Sequence, residues 1–152
     1  MPGAVLGRDC MLGQNVFVGN VSLGNGVRVQ NNVSLYDGVS LEDNVFVGPS
    51  AVFTNDRWPR SEERGKRPFL DTRVQRGASI GANATIVAGI TIGSYALIGA
   101  GSVVIRDVPD HALMVGNAAR QIGWVCSCGQ QIQDEHCKSC DRRFLIQEGW
   151  AC

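Results

Sequence analysis

Apolar and polar positions along this chain repeat with a period of six. A branched aliphatic residue recurs at Leu6, Leu12 and Val18, then at Leu23, Val29, Leu35, Leu41 and Val47, with Phe53 as an aromatic stand-in. After a break the phase resumes at Val74, Ile80, Ile86, Ile92, Ile98 and Val104. Four residues beyond most of these stands a small or β-branched residue, as at Cys10, Val16, Val27, Val33, Val45, Ala51, Ala78, Ala84, Ala96 and Ser102. Glycine usually follows the aliphatic residue, as at Gly7, Gly13, Gly24, Gly81 and Gly99. One hexad is irregular: Val18 to Leu23 lacks a residue, which predicts a tightened corner.

A period of six fits neither a helix, at 3.6, nor an array of hairpins. It fits an all-β parallel β-helix in which each hexad builds one flat side and its corner. The aliphatic residue then points inward and the residue four later fills the corner. Asp9, Asn15, Asn32, Gly38, Asn44, Asn83, Gly89 and Asp107, each three residues past an aliphatic one, suit turns that need a positive φ. The period fails from Thr54 to Arg73, where ten of twenty residues are charged and Pro59 and Pro68 intervene. A long loop inside a repeat stack is usually functional or disordered.

Composition agrees with short strands and tight corners. Glycine makes up 19 of 152 residues, about 12% against a usual ~7%, and aromatics are scarce. Fourteen basic residues balance fourteen acidic ones, so charge steers the chain toward neither nucleic acid nor an anionic membrane. No apolar run approaches the ~18 residues of a membrane span, and the N-terminus lacks a signal-peptide pattern, so a cytoplasmic location is expected.

Past Val108-Pro109 the hexads stop, and four cysteines follow as Cys126-Ser127-Cys128 and Cys137-Lys138-Ser139-Cys140. Two paired-thiol knuckles resemble a four-cysteine zinc ribbon, although the first is C-x-C rather than C-x-x-C. Two disulfides are the alternative, disfavoured in a reducing compartment. The division expected is a β-helix domain over residues 1–123, with its insertion at 54–73, and a zinc-ribbon-like tail over 124–152. Cys10 occupies an inward corner, where it acts as a small hydrophobe.

The hexads carry a resemblance to the hexapeptide-repeat acyltransferases, whose signature is an aliphatic residue, Gly, two variable residues and a small residue. That resemblance implies a triangular left-handed β-helix with three hexads per coil, and a homotrimer with active sites between subunits. The handedness comes from the resemblance alone, since parallel crossovers in general are right-handed. VQNNVSLYDGV, FVGPSAVFTN, SIGANATIVAGITIG and VVIRDVPDHALMVGNAARQIGW are similar to the UDP-2-acetamido-3-amino-2,3-dideoxy-glucuronate N-acetyltransferases. Those enzymes use acetyl-CoA to acetylate a 3-amino nucleotide sugar for lipopolysaccharide O-antigen synthesis. The family carries about one further coil before MPGAV, so Met1 is expected to be an internal start.

Histidine placement separates chemistries. O-acetylating relatives use a catalytic His, and carbonic anhydrases on this helix bind metal through three. Here His111 lies beyond the hexads and His136 between the knuckles, and neither is placed for those tasks. An amine needs no strong base, because a sugar amine is partly neutral near pH 7 and the departing thiolate can take its proton. By resemblance, Asn83 is assigned to the acceptor amine, which its side-chain carbonyl can orient. A plain turn role is the competing reading, since Asn15, Asn32 and Asn44 occupy equivalent positions. Asn31, Tyr36, Asn55 and Arg60 are candidates for the nucleotide sugar. Gly99 and Ala100 are candidates for the pantetheine arm or thioester, and Arg106 and Arg120 for coenzyme A phosphates. Two rivals stay open: an acyltransferase for another amino sugar, such as a dTDP-3-amino-6-deoxyhexose, and a non-catalytic β-helix scaffold.

Overall fold

The computed structural model describes residues 3–63, 65–147 and 150–151. The chain winds into a parallel β-solenoid of about six turns. Its first face stacks β1 (Val5–Leu6), β4 (Ser22–Leu23), β7 (Val39–Leu41), β10 (Thr72–Val74) and β13 (Thr91–Ile92). The second stacks β2 (Met11–Leu12), β5 (Arg28–Val29), β8 (Phe46–Val47), β11 (Ser79–Ile80), β14 (Leu97–Ile98) and β16 (Ala112–Val115). The third stacks β3 (Phe17–Val18), β6 (Ser34–Leu35), β9 (Val52–Phe53), β12 (Thr85–Ile86) and β15 (Val103–Val104). Every neighbouring pair within these stacks is parallel. β17 (Arg120–Trp124) then folds back antiparallel on β16. Among the described residues no helix is long and apolar enough to cross a membrane.

The hexad pattern explains the core. From Leu23 to Val104 every phased aliphatic residue, Phe53 included, ends a strand and is buried, and Val27, Val33, Val45, Ala51, Ala78, Ala84, Ala96 and Ser102 fill the corners between them. Leu6 and Leu12 also end strands but stay 45% and 36% exposed, because their coil has a stacked neighbour on one side only. The missing residue before Leu23 shows in the register: β1 pairs with β4 at an offset of 17 residues, and β4 with β7 at 18. Glycine follows the aliphatic residue because successive coils touch there. A Cβ on Gly13 would collide with the Asn31 side chain, and one on Gly81 with the backbone of Ala100.

Corner conformations follow the expectation with instructive exceptions. Asp9, Asn15, Asn32, Asn44 and Asn83 have φ between 56° and 62°, and Gly38 and Gly89 are also positive. Asp107 is not among the positive-φ residues; Val104 and Val108 are only four residues apart, and the Asp107 carboxylate accepts the Thr91 N–H at 2.8 Å instead. Ser50, Tyr95 and His111 adopt the left-handed conformation without the usual residue type. Tyr95 stacks on His111 with ring centroids 5.2 Å apart, and His111 meets Phe144 at 5.9 Å. The column has room for this because a Cβ on Gly77 would strike the Tyr95 ring.

The insertion leaves the third face after Phe53 and rejoins the first at Thr72, where β10 begins. Leu70 N–H donates to the Asn55 carbonyl at 3.0 Å, closing the base of the loop. Arg57 Nε donates to the Ala88 carbonyl of the next coil at 3.0 Å, and a short 3-10 turn spans Ser61–Glu63.

Candidate functional site

The third-to-first edge of the solenoid carries the insertion and, two coils later, Arg106. Arg106 and Arg120 line one cavity of about 350 Å³ together with Asp107, Pro109, Met114, Ala118, Ala119 and Gln121. β17 supplies Arg120 and Gln121, so the antiparallel return of the chain after the last coil builds this wall. Two guanidinium groups beside a partly apolar cavity suit a phosphorylated ligand with an apolar arm.

The second-to-third edge carries Asn83. Its side chain is exposed and makes no hydrogen bond among the described residues, while its N–H donates to the Pro49 carbonyl at 3.0 Å. Gly99 and Ala100 lie one coil further on the same edge, about 4.8 Å along the axis. The Gly99 amide is spent on the Met114 carbonyl at 2.8 Å, whereas the Ala100 amide makes no hydrogen bond among the described residues. Of the two, Ala100 is the one able to polarise a carbonyl.

The residues assigned to the nucleotide sugar separate into two groups. Asn31 sits on the Asn83 edge two coils earlier, where its side-chain oxygen accepts the Gln14 N–H at 2.8 Å. Tyr36, Asn55 and Arg60 lie on the insertion edge. Tyr36 packs on Phe17 with centroids 5.5 Å apart, Asn55 closes the loop, and Arg60 reaches its neighbour's carbonyl at Pro59. A full face, roughly 15 Å wide at ~3.3 Å per residue, separates these edges within one chain. Reasoning on residue types missed Arg57 as the clamp of the loop, because its acceptor is a backbone carbonyl 31 residues away. His111 is held in the aromatic column with Nδ1 2.9 Å from the Val125 carbonyl, away from Asn83.

The tail has a small core of its own: Cys126, Ile132, Cys137 and Phe144, with Trp124 and Cys140 against it. The four sulfurs of Cys126, Cys128, Cys137 and Cys140 all lie within 4.8 Å of one another. Cys126 to Cys140 is 3.4 Å and Cys128 to Cys137 is 3.5 Å. A disulfide requires about 2.05 Å, while tetrahedral zinc with ~2.3 Å bonds sets sulfurs about 3.8 Å apart. The Cys140 amide, joined by that of Ser139 against the opposing effect of burial, draws Cys137 down to about 6. The Arg142 amide pulls Cys140 down, but burial and the three neighbouring sulfurs outweigh it and push that thiol up to about 12. Four thiols that resist ionising together are a donor set that fits a divalent cation.

Comparison with known proteins agrees with this architecture. A model described as bacterial transferase hexapeptide (six repeats) matches residues 71–106, and one described as hexapeptide repeat of succinyl-transferase matches residues 3–37. A dTDP-3-amino-3,6-dideoxy-alpha-D-galactopyranose 3-N-acetyltransferase from Aneurinibacillus thermoaerophilus is 50% identical over 84 residues, covering 53% of this chain and 44% of that protein. The structure of a maltose O-acetyltransferase from Clostridium difficile 630 superposes with a TM-score of 0.71 at 26% identity, covering 79% of this chain and 68% of that one. A hexapeptide-repeat acetyltransferase from Vibrio cholerae O1, complexed with acetyl coenzyme A, gives 0.70 at 25% identity, covering 80% and 70%. The chain spans less than half the length of the curated relatives it matches.

Proposed function

Because the chain belongs to the hexapeptide-repeat acyltransferase family, we propose that it is an acetyl-CoA-dependent N-acetyltransferase for an amino group on a nucleotide-linked sugar. The observation that carries this reading is the 50% identity to a nucleotide-sugar 3-N-acetyltransferase. The placement of His111 supports amine over hydroxyl acetylation. It sits at the corner between the first and second faces of the last coil, held by Tyr95, Phe144 and the Val125 carbonyl. No histidine therefore stands on the Asn83 edge of this chain to deprotonate a hydroxyl.

In this reading the Asn83 carbonyl accepts a hydrogen bond from the incoming amine and aims its lone pair at the thioester. The Ala100 amide faces the charge developing on the carbonyl oxygen. A C–N bond forms, the C–S bond breaks, and the proton lost by the amine ends on the departing sulfur. Arg106 and Arg120 hold the phosphates of the acyl donor, and Tyr36, Asn55 and Arg60 contact the acceptor.

The two edges bearing these groups can meet across copies of the chain in a homotrimer. The second and third faces present Met11, Phe17, Phe46 and Val52 to solvent, all more than a third exposed. The first face presents Ser22, Ser40 and Arg73, the last paired with Glu42 at 2.7 Å. The apolar faces flank the Asn83 edge and are the natural contact. Sedimentation equilibrium is expected to show a trimer at micromolar concentration; a monodisperse monomer refutes it.

The acceptor expected from the segments around Asn31, Asn83 and Arg120 is UDP-2-acetamido-3-amino-2,3-dideoxy-glucuronate. A dTDP-3-amino-3,6-dideoxyhexose is the second reading, favoured by the Aneurinibacillus relative. An acetyl-CoA assay over a panel of amino nucleotide sugars decides between them, and no turnover of any member refutes the enzyme. The four tail cysteines hold one structural zinc. The tail's own core is small, with Cys126, Ile132, Cys137 and Phe144 buried, and in so small a unit zinc binding supplies folding free energy that burial alone does not.

A further inference from the structure

Trp58 is 71% exposed in a chain that has three tryptophans. It does not dangle. Its backbone N–H donates to Asp56 Oδ1 at 2.8 Å, its neighbour Arg57 is clamped to the Ala88 carbonyl, and the Leu70–Asn55 bond closes the loop beneath. An indole left in water on a backbone that three local bonds hold in place is a platform awaiting a flat partner. Arg60 lies two residues on, exposed and engaged with no acid among the described residues.

Position along the axis identifies that partner. The insertion leaves the coil of β7, β8 and β9; Asn83 follows in the next coil, Ala100 in the one after, and the Arg106–Arg120 cavity at the end. A donor anchored at that cavity reaches Asn83 from the C-terminal side. The acceptor therefore approaches from the N-terminal side, at the level of the insertion.

We infer that Trp58 stacks the nucleobase of the nucleotide sugar while Arg60 meets its diphosphate. This inference rests on the N-acetyltransferase reading and names a residue that recognises its acceptor. Stacking one base on an aromatic ring is worth enough that alanine substitution costs about tenfold or more in affinity.

The experiment compares wild type, Trp58→Phe and Trp58→Ala. Steady-state kinetics on the accepted amino sugar give KM for acceptor and donor, and intrinsic fluorescence is titrated with UDP and dTDP alone. Trp58→Ala is expected to raise the acceptor KM about tenfold with the acetyl-CoA KM unchanged. Trp58→Phe should keep most of the affinity and lose the nucleotide-induced quench. An unchanged acceptor KM in Trp58→Ala, a rise confined to acetyl-CoA, or loss of oligomeric state overturns the inference. Wild-type inactivity on every amino nucleotide sugar defeats the enzymatic reading instead, and the UDP and dTDP titrations then decide the role of Trp58 on their own.

Discussion

Replacing Asn83 by both alanine and glycine separates its two roles, which a single substitution confounds. Asn83 sits at φ 56°, in the left-handed region that alanine enters at a cost of roughly 1–2 kcal/mol. Its side chain makes no hydrogen bond among the described residues, so its removal forfeits no internal contact of that kind. Asn83→Ala is therefore expected to lower Tm by about 2–4 °C per kcal/mol lost. Asn83→Gly meets no such strain, and Gly101 already occupies the equivalent corner one coil on with φ 70°. The glycine variant should melt within about a degree of wild type. If the side chain orients the amine, both variants lose one transition-state hydrogen bond, about 1.4–2.8 kcal/mol, and kcat falls about 10-fold to 100-fold in each. Differential scanning fluorimetry and acetyl-CoA turnover on the same preparations provide the readouts. Full turnover in Asn83→Gly refutes the catalytic assignment and leaves Asn83 a corner residue.

Metal analysis of protein purified under reducing conditions should find one zinc per chain, and Cys137→Ser should lose it. Because the tail core and the coil core are separate clusters, chelation should melt the former and leave the latter's far-UV signal. Arg120→Ala should raise the KM for acetyl-CoA about tenfold with the acceptor KM unchanged, while His111→Ala should turn over normally but melt lower for want of its stack between Tyr95 and Phe144. The Asn25 amide and Arg76 hold the Asp43 carboxyl below its ordinary value. Its stabilising effect is thus complete above the ordinary carboxylate range and lost as pH falls through the lowered value. In acid denaturation, Asp43→Asn should flatten that part of the profile.

The coil was legible because one demand repeats: each strand must end in an aliphatic side chain that fills the axis, and nothing else in the chain competes for that spacing. Leu6 through Val104 end their strands on that spacing, with one insertion and one missing residue. Corners were less legible. Asn32 and Asn83 advertise a left-handed turn, but Tyr95 and His111 adopt one while stacking with partners 16 and 33 residues away, which no local rule registers. The tail cysteines announced their cluster by spacing. By contrast, the cavity shared by Arg106 and Arg120 depends on how β17 turns back, and Arg57 binds a carbonyl that any residue carries.

One set of corner hydrogen bonds runs one way along the chain. The amides of Arg8, Gln14, Asn20, Asn25, Thr91 and Ser94 are each received by an Asn or Asp side chain 16 to 18 residues later: Asn25, Asn31, Asp37, Asp43, Asp107 and Asp110. Each coil therefore leaves donors that its successor completes, and contacts span about one coil whatever the chain length. Synthesis from the N-terminus delivers acceptors in the order in which donors await them, so this fold can close like a zipper behind the ribosome. At the final corner no further coil arrives, and the Val125 amide takes the His111 carbonyl at 2.7 Å. The tail serves as the zipper's stop, and losing it should let the last coil fray first.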